Sequence, residues 1–158
     1  MINIDQNFLD ELRDKIFIEV FGGSGLMAAT ALSNGAKHAY AVEIDKSAYK
    51  ILSNNFSSLN TDKITALFGN SFEITPNLIS QSPDKSVILY IDPPFNIREN
   101  FANIYDQIWQ MLFDTDKNKI YLAVIEHISS YNPPDIKSEF TKFKSKKFGK
   151  TTLSYFVP

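Results

Sequence analysis

Short runs of β-branched and aromatic residues alternate along this chain with stretches of helical periodicity, and no internal repeat interrupts the alternation. The pattern is typical of βαβ units, in which buried parallel strands are joined by helices. We predict strands at residues 16–21, 39–44, 64–68, 86–91 and 120–125. The sequence therefore predicts an α/β fold, with a mostly parallel sheet and helices on both faces.

The stretches between these strands carry the predicted helices, at residues 24–33, 45–57 and 101–113. Asp45 is expected to be the N-cap of the second helix, since its carboxylate can accept a backbone N–H of the first turn. Residues 71–80 predict only a weak helix, because Pro76 would interrupt the helical hydrogen bonds there.

The pattern changes after residue 130. Residues 131–135 (YNPPD) predict a break, a short helical stretch is expected next, and residues 143–156 predict an antiparallel hairpin that turns around Phe148-Gly149-Lys150. An open sheet of this kind, parallel in its body with an antiparallel strand at the edge, binds ligands beyond the carboxyl ends of its strands. We therefore expect the chemistry just after strands one, two and four.

Length and composition narrow the class of protein. A chain of 158 residues predicts one domain, and the absence of cysteine with only two histidines argues against a disulfide framework or a zinc site. No stretch approaches the ~18 apolar residues of a membrane span, and the acidic N-terminus is not a secretory signal. We expect a cytoplasmic monomer without a metal or a membrane partner.

The charges are unevenly distributed. Six of the sixteen basic residues lie between Lys137 and Lys150, where Glu139 is the single acid, although the net charge of the whole chain is -2. Two interpretations stay open: the lysines protect an exposed strand edge, or they form a surface that contacts phosphates.

The first predicted strand ends in the sequence EVFGGSG, from Glu19 to Gly25. Glycines permit left-handed backbone and close approach of a ligand, and the N-terminus of the following helix favours negative charge. Gly23-x-Gly25-x-x-Ala28, followed by Glu43 at the end of the second strand, also satisfies the dinucleotide fingerprint. A nicotinamide-dependent oxidoreductase therefore stays open on this motif alone.

The fourth predicted strand ends in Asp92-Pro93-Pro94-Phe95. The two prolines stiffen the backbone and remove N–H donors, which leaves carbonyl oxygens and the Asp92 carboxylate as hydrogen-bond acceptors. Acceptors suit an amino group, and Phe95 would offer a flat face on which a base can stack. This segment predicts a site for an aromatic amine.

EVFGGSG, VEID and DPPF together resemble the motifs of class I S-adenosylmethionine-dependent methyltransferases that act on exocyclic amino groups. The longer segments FGGSGLMAATALSNGAKHAYAVEIDKSAYKILSNN, YIDPPF and KKFGKTTLSYF are similar to the RsmD family, bacterial enzymes that methylate a guanine N2 in 16S ribosomal RNA. The resemblance covers residues 16–156 and implies a Rossmann-like fold with S-adenosylmethionine as cofactor.

The resemblance also implies roles for single residues. It places the catalytic site at Asp92, Pro93 and Phe95. Beside the resemblance, we expect substrate contacts at Pro94, Phe95, Asn96 and Arg98, where Arg98 is equally open to being an exposed loop cation, and at Lys144, Lys146 and Lys147 of the lysine-rich segment. The cofactor-binding residues would be Glu19, Phe21, Gly22, Gly23, Gly25, Glu43, Ile44, Asn70 and Asp92. Asn70 stands where the family usually has an acid that contacts the adenine amine.

The implied partner is ribosomal RNA or the small ribosomal subunit. The family carries a basic N-terminal extension that is short or absent here, so the substrate is less defined than the cofactor. DNA adenine and protein glutamine methylation share the Asp-Pro-Pro-aromatic motif and stay open. So does a non-catalytic module that kept only the cofactor pocket.

Overall fold

The computed structural model of the protein describes residues 6–94 and 101–158. Within these residues, eight strands form one sheet in the order β3-β2-β1-β4-β5-β8-β7-β6. The strands are β1 (Ile16–Glu19), β2 (His38–Glu43), β3 (Ile64–Phe68), β4 (Val87–Ile91), β5 (Ile120–Ile128), β6 (Ile136–Lys137), β7 (Phe140–Phe148) and β8 (Thr151–Val157).

Strands β1 to β5 pair in parallel, and β8, β7 and β6 continue the sheet in antiparallel pairing. The order reverses direction between β1 and β4, where a crevice forms at the carboxyl ends of an open parallel sheet. Because β7 runs parallel to β5, the turn after β7 lies at this same edge of the sheet.

Helices cover both faces of the sheet, as the sequence predicts. They are α1 (Gln6–Glu11), α2 (Leu26–Ser33), α3 (Lys46–Ser57), α4 (Ser71–Ser80) and α5 (Phe101–Asp114). One buried cluster joins α1, α2 and α3 to one face, and a second joins α4 and α5 to the other. β4 is buried along its whole length between these layers, which explains its unbroken apolar sequence.

The predicted fold class is confirmed, with its mostly parallel sheet and C-terminal antiparallel hairpin. The third strand coincides with the predicted residues 64–68, and Asp45 caps α3 by accepting the Ala48 N–H at 2.8 Å. Strand β5 is longer than predicted, because its pairing with β8 extends it to Ile128.

One local prediction is wrong. Residues after the Pro-Pro break form the short strand β6 instead of a helical stretch, because they pair with the start of β7. The weak helix predicted at residues 71–80 is present as α4 with the same bounds, and Pro76 does not interrupt it. The Asn70 side chain caps its first turn, and Thr75 and Ile79 are fully buried, so packing compensates for the hydrogen bond that proline removes.

Helix α1 had no counterpart in the predicted elements. Its Phe8 side chain is buried with Leu12 in the cluster on the α2 face, so tertiary packing stabilises a helix of only six residues. Among the described residues, none of the helices has the length and apolarity needed to cross a membrane.

Candidate functional site

One cavity of about 430 Å³ lies in the crevice between the ends of β1, β2, β3 and β4. Its size falls in the range of small-molecule sites, about 300–1,000 Å³. The structure brings eight of the fourteen predicted site residues that it describes to the wall of this cavity, together with residues from α4 and α5. The lining residues are Phe21, Gly23, Val42, Glu43, Ile44, Asn70, Ser71, Phe72, Asp92, Pro93, Pro94 and Ile104.

The glycine loop after β1 brings the backbone close to α3. Gly25 has a φ of 79°, and a Cβ added there would lie 2.4 Å from side-chain atoms of both Leu52 and Phe56. Gly23 also has a positive φ, of 51°, but a Cβ there would meet nothing within 4 Å. Gly25 is therefore required by packing, whereas Gly23 leaves open space at the cavity wall.

Glu43, the last residue of β2, fixes this loop. One carboxylate oxygen accepts the Gly23 N–H at 3.0 Å, and the other accepts the Asp45 N–H at 2.8 Å. Ile44 follows it with 64% of its side chain exposed at the cavity wall. An acceptor pair beside an exposed apolar side chain is suited to a ribose next to an adenine ring.

Glu19 lies behind the cavity wall and is only 6% exposed. Its Oε2 accepts the Ala28 N–H at 2.9 Å, so the carboxylate caps the first turn of α2, where Gly25 supplies no side-chain cap. Burial raises the pKa of Glu19 to about 8, although its hydrogen bonds to Ala28 and Met27 act in the opposite direction.

Asp92 directly follows β4 and faces the cavity. Its Oδ1 is buried, and no hydrogen-bond partner for it exists within residues 6–94 and 101–158. Burial, and secondarily the charge of Glu126, raise the pKa of Asp92 to about 7. A buried acceptor without a donor is costly, so this oxygen is a candidate acceptor for an N–H or O–H group of a ligand.

Glu126 on β5 extends this acidic group. The parallel register pairs Ile91 with Ile125, so Asp92 and Glu126 are the next neighbours across the two strands. Glu126 is 7% exposed and accepts a hydrogen bond from the Tyr90 hydroxyl, whose pKa is raised by burial and then by the Glu126 charge. The charged neighbours that act on Glu19 and Asp92, as far as the structure describes the chain, are themselves carboxylates.

Asn70 lies at the cavity wall after β3, but its side chain already has a structural role. Its Oδ1 accepts the Phe72 N–H at 3.0 Å and thereby caps α4. A carbonyl oxygen has two lone pairs, so a ligand amine can share this acceptor. Ser71 anchors the same helix start by donating to the backbone carbonyl of Val20.

Three predicted substrate residues, Phe95, Asn96 and Arg98, lie outside the described residues, so the structure does not place them. The predicted lysines lie on β7, away from the cavity. Lys144 and Lys146 lie 5.4 Å and 5.2 Å from the ring centroids of Tyr155 and Phe148, respectively. The neighbouring Lys142 forms an ion pair with Asp135 at 2.8 Å.

His127, a titratable side chain near the carboxyl end of β5, is 2% exposed. Its Nδ1 lies 2.8 Å from the Ile128 carbonyl, and its Nε2 lies 2.8 Å from Ser154 Oγ. Burial lowers its pKa, and it packs against the cluster of α4 and α5 as a neutral side chain. Its position is that of a structural residue.

Sequence reasoning missed the Tyr90–Glu126 pair and the contributions of Phe72 and Ile104. Phe72 meets the Phe21 ring edge-on at 5.8 Å and closes the cavity floor. The carboxylate at Glu126 is an acidic residue inside a strand that is otherwise buried, and that signal could have marked it. Within the part of the chain that the structure describes, no group of His, Asp and Glu side chains could hold a metal ion.

The strand order and the crevice define a Rossmann-like fold. The Escherichia coli protein yhhF, described as a candidate methyltransferase, superposes with a TM-score of 0.74 at 20% identity, covering 99% of this chain and 87% of that one. A family model described as conserved hypothetical protein 95 matches residues 3–157. The chain therefore belongs to this family.

Two further solved structures share the fold. PH1948 from Pyrococcus horikoshii, described as a candidate RNA methyltransferase, has a TM-score of 0.66 at 18% identity, over 95% of this chain and 78% of that one. SMU.776, described as a candidate methyltransferase and solved with S-adenosylhomocysteine, has a TM-score of 0.69 at 12% identity, over 96% and 48%. The predicted cofactor agrees with the ligand of that neighbour.

Proposed function

We propose that this protein is an S-adenosylmethionine-dependent methyltransferase that acts on an exocyclic amino group, the guanine N2 of 16S ribosomal RNA in the small ribosomal subunit. One observation carries the proposal. A single cavity is lined on one side by Gly23, Glu43 and Ile44 and on the other by Asp92 and Pro93, so a donor site and an amine site adjoin.

The residues present fit the cofactor. Glu43 offers carboxylate oxygens that could hold ribose hydroxyls, Ile44 an exposed apolar wall, and Asp92 a buried oxygen without a donor among residues 6–94 and 101–158. The buried carboxylates Glu19 and Asp92 suit a ligand that carries positive charge, because a cation favours their ionised forms. When bound, the cofactor supplies an electrophilic methyl group on a sulfonium.

The chain's own task is to position a weakly nucleophilic amine. Pro93 and Pro94 contribute no N–H donor, so the segment offers acceptors only, and Asp92 accepts an amine N–H and directs the nitrogen lone pair toward the methyl group. The Asp92 carboxylate would stabilise the positive charge that develops on the nitrogen of a reacting amine. A pKa of about 7 also lets Asp92 accept the proton that the nitrogen loses.

The RNA substrate rests on two supports of different kinds. The sequence segments around the glycine loop, YIDPPF and KKFGKTTLSYF are similar to the RsmD family, and the structural neighbour PH1948 is described as an RNA methyltransferase candidate. The lysine-rich strand β7 ends at the same edge of the sheet as Asp92, two strands beyond β5. An RNA bound over Asp92 can therefore reach Lys147 and the Gly149-Lys150 turn.

The first experiment tests the cofactor, and the second tests the substrate. Calorimetry should show binding of S-adenosylmethionine and no binding of NADH; the reverse result would assign the glycine loop to an oxidoreductase. Transfer of a labelled methyl group is then measured on small ribosomal subunits, naked 16S RNA, DNA and a glutamine peptide. We expect N2-methylguanosine in the RNA by nucleoside mass spectrometry.

The Asp92→Ala variant makes the second experiment specific. Removing the acceptor should reduce turnover about 100-fold to 1,000-fold, as for other preorganised groups at a reacting centre. Asp84→Asn is the matched control, because Asp84 is an exposed carboxylate before β4, at the opposite edge of the sheet. Turnover of Asp92→Ala near that of the wild type would refute the amine site. If the wild type transfers the labelled methyl group to none of the four substrates, the result favours a non-catalytic module.

A further inference from the structure

A second cavity, of about 520 Å³, lies at the same edge of the sheet beyond the end of β5. The proposed cofactor cavity lies at the ends of β1 and β2, whereas the second cavity lies at the end of β5. In the sheet, β4 lies between β1 and β5. Its principal lining residues are Tyr105, Asp106, Ser130, Tyr131, Asn132 and Lys137.

Helix α5 forms the boundary between the two cavities. Ile104 lines the first cavity and the next residue, Tyr105, lines the second. Burial raises the pKa of Tyr105, and the charge of Asp92 adds to this increase, which agrees with the closeness of the two side chains. A chain-like substrate with one unit at Asp92 can therefore place an adjoining unit in the second cavity.

The second cavity has a rigid aromatic wall. The rings of Tyr105 and Tyr131 stack at 3.9 Å with an interplanar angle of 4°, and the Tyr131 hydroxyl accepts the Trp109 indole N–H at 3.2 Å. The His127 ring contacts Tyr131 edge-on at 5.4 Å. These contacts fix Tyr131 on three sides, so it presents a preorganised surface at little further entropic cost.

The polar groups of the cavity are exposed. Asn132 offers an amide, and the Lys137 ammonium lies 4.0 Å from the Asp106 carboxylate, with 43% and 73% of these two side chains exposed. An exposed ion pair at this distance contributes little, so a phosphate can replace Asp106 as the partner of Lys137. Aromatic rings, an amide and an exposed cation are the groups with which proteins bind single-stranded nucleic acid.

We propose that this second cavity binds the nucleotide adjoining the target base in single-stranded RNA, with Lys137 on a phosphate and Tyr131 and Asn132 on the neighbouring base. The inference rests on the proposed function, since it takes Asp92 as the site of the methylated unit. It adds a specificity site on the β5 side, separate from the lysines of β7.

The test measures binding of a fluorescein-labelled 12-nucleotide single-stranded RNA with one central guanosine, by anisotropy, with S-adenosylhomocysteine present. Each phosphate contact with a single strand contributes about 0.7 to the slope of log affinity against log salt concentration. At 0.1 M salt, one such contact strengthens binding about fivefold. Lys137→Gln should therefore weaken binding about fivefold and reduce that slope by about 0.7. Asp106→Asn should tighten binding, because it removes the competing carboxylate.

Lys63→Gln is the matched control, since Lys63 is an exposed lysine before β3, at the opposite edge of the sheet, and should leave RNA binding unchanged. Calorimetry with S-adenosylmethionine should give equal affinities for all variants. Two results would refute the inference and leave the cofactor assignment standing, provided that the wild type binds S-adenosylmethionine. In the first, Lys137→Gln has the RNA affinity and salt slope of the wild type. In the second, the wild type does not bind the RNA. A wild type that binds no cofactor would instead refute the proposed function.

Discussion

Replacement of Asp92 by asparagine should make the protein more stable at neutral pH. In the unfolded chain this carboxyl ionises near pH 4, whereas the folded environment raises its pKa to about 7. Between these two values the native state holds a proton that the unfolded state has lost, so the free energy of unfolding falls as pH rises. Asparagine does not ionise, so the free energy of unfolding of the variant does not fall with pH for this reason.

The magnitude follows from the width of that pH window. Each pH unit between about 4 and about 7 costs the wild type about 1.4 kcal/mol relative to Asp92→Asn. Between pH 5 and pH 7 the advantage of the variant should therefore grow by up to about 3 kcal/mol. Because the Asp92 side chain is not fully buried, water screens part of this effect. We therefore expect the stability advantage of Asp92→Asn to grow by about 1.5 to 3 kcal/mol.

Urea unfolding measures this difference at pH 5, 6, 7 and 8. Trp109 is the only tryptophan of the chain and is 2% exposed, so its fluorescence reports loss of the core around α5. Asp10→Asn is the matched control, because it removes an exposed carboxylate on α1, remote from the site. An Asp92→Asn advantage that is the same at pH 5 and pH 8 would show that the fold does not hold this proton.

Three further outcomes follow from the same geometry. Gly25→Ala should cost more than about 3 kcal/mol in urea unfolding, because its Cβ would overlap Leu52 and Phe56, whereas Gly23→Ala, with open space around it, should cost about 1 kcal/mol. Tyr90→Phe should cost about 1 to 3 kcal/mol in the same assay by leaving the buried Glu126 without its donor; an unchanged midpoint would contradict the hydrogen bond. Binding of S-adenosylmethionine near pH 7 should release more protons than binding of S-adenosylhomocysteine, because the sulfonium favours ionised Glu19 and Asp92. Calorimetry in buffers of different ionisation enthalpy measures the number of protons released. Equal numbers for the two ligands would refute this role of the carboxylates.

The sheet could be predicted from the sequence because local signals and tertiary packing agree in most of it. Residues 64–68 are β-branched and apolar and form β3 with the same bounds, and Asp45 caps α3 by its own hydrogen bond. The two signals disagree at Pro76 and after the Pro-Pro break. There, burial of Ile79 and pairing of Ile136 with Thr141 override the local preference.

The candidate site could be predicted in part for a similar reason. Glu43 and Asp92 are recognisable because Glu43 ends β2 and Asp92 directly follows β4, and ligand sites of such sheets lie at strand ends. The closeness of Glu126 to Asp92 could not be predicted, because it depends on the register of β4 against β5, and pairing register between strands distant in sequence leaves no local trace. The second cavity depends likewise on how α5 packs beside the loop after β5.

The acidic group at the strand ends links stability to function. Glu19, Asp92 and Glu126 come from three neighbouring strands, and repulsion among buried carboxylates opposes folding whenever more than one of them ionises. Glutamine or asparagine at these positions would destabilise the fold less, so the presence of carboxylates indicates a functional requirement for their charge. The sulfonium of the proposed cofactor would supply that requirement, because its positive charge lowers the cost of ionising Glu19 and Asp92. On the proposed function, the two carboxylates that weaken the fold at neutral pH would therefore favour binding of the sulfonium donor over the thioether product.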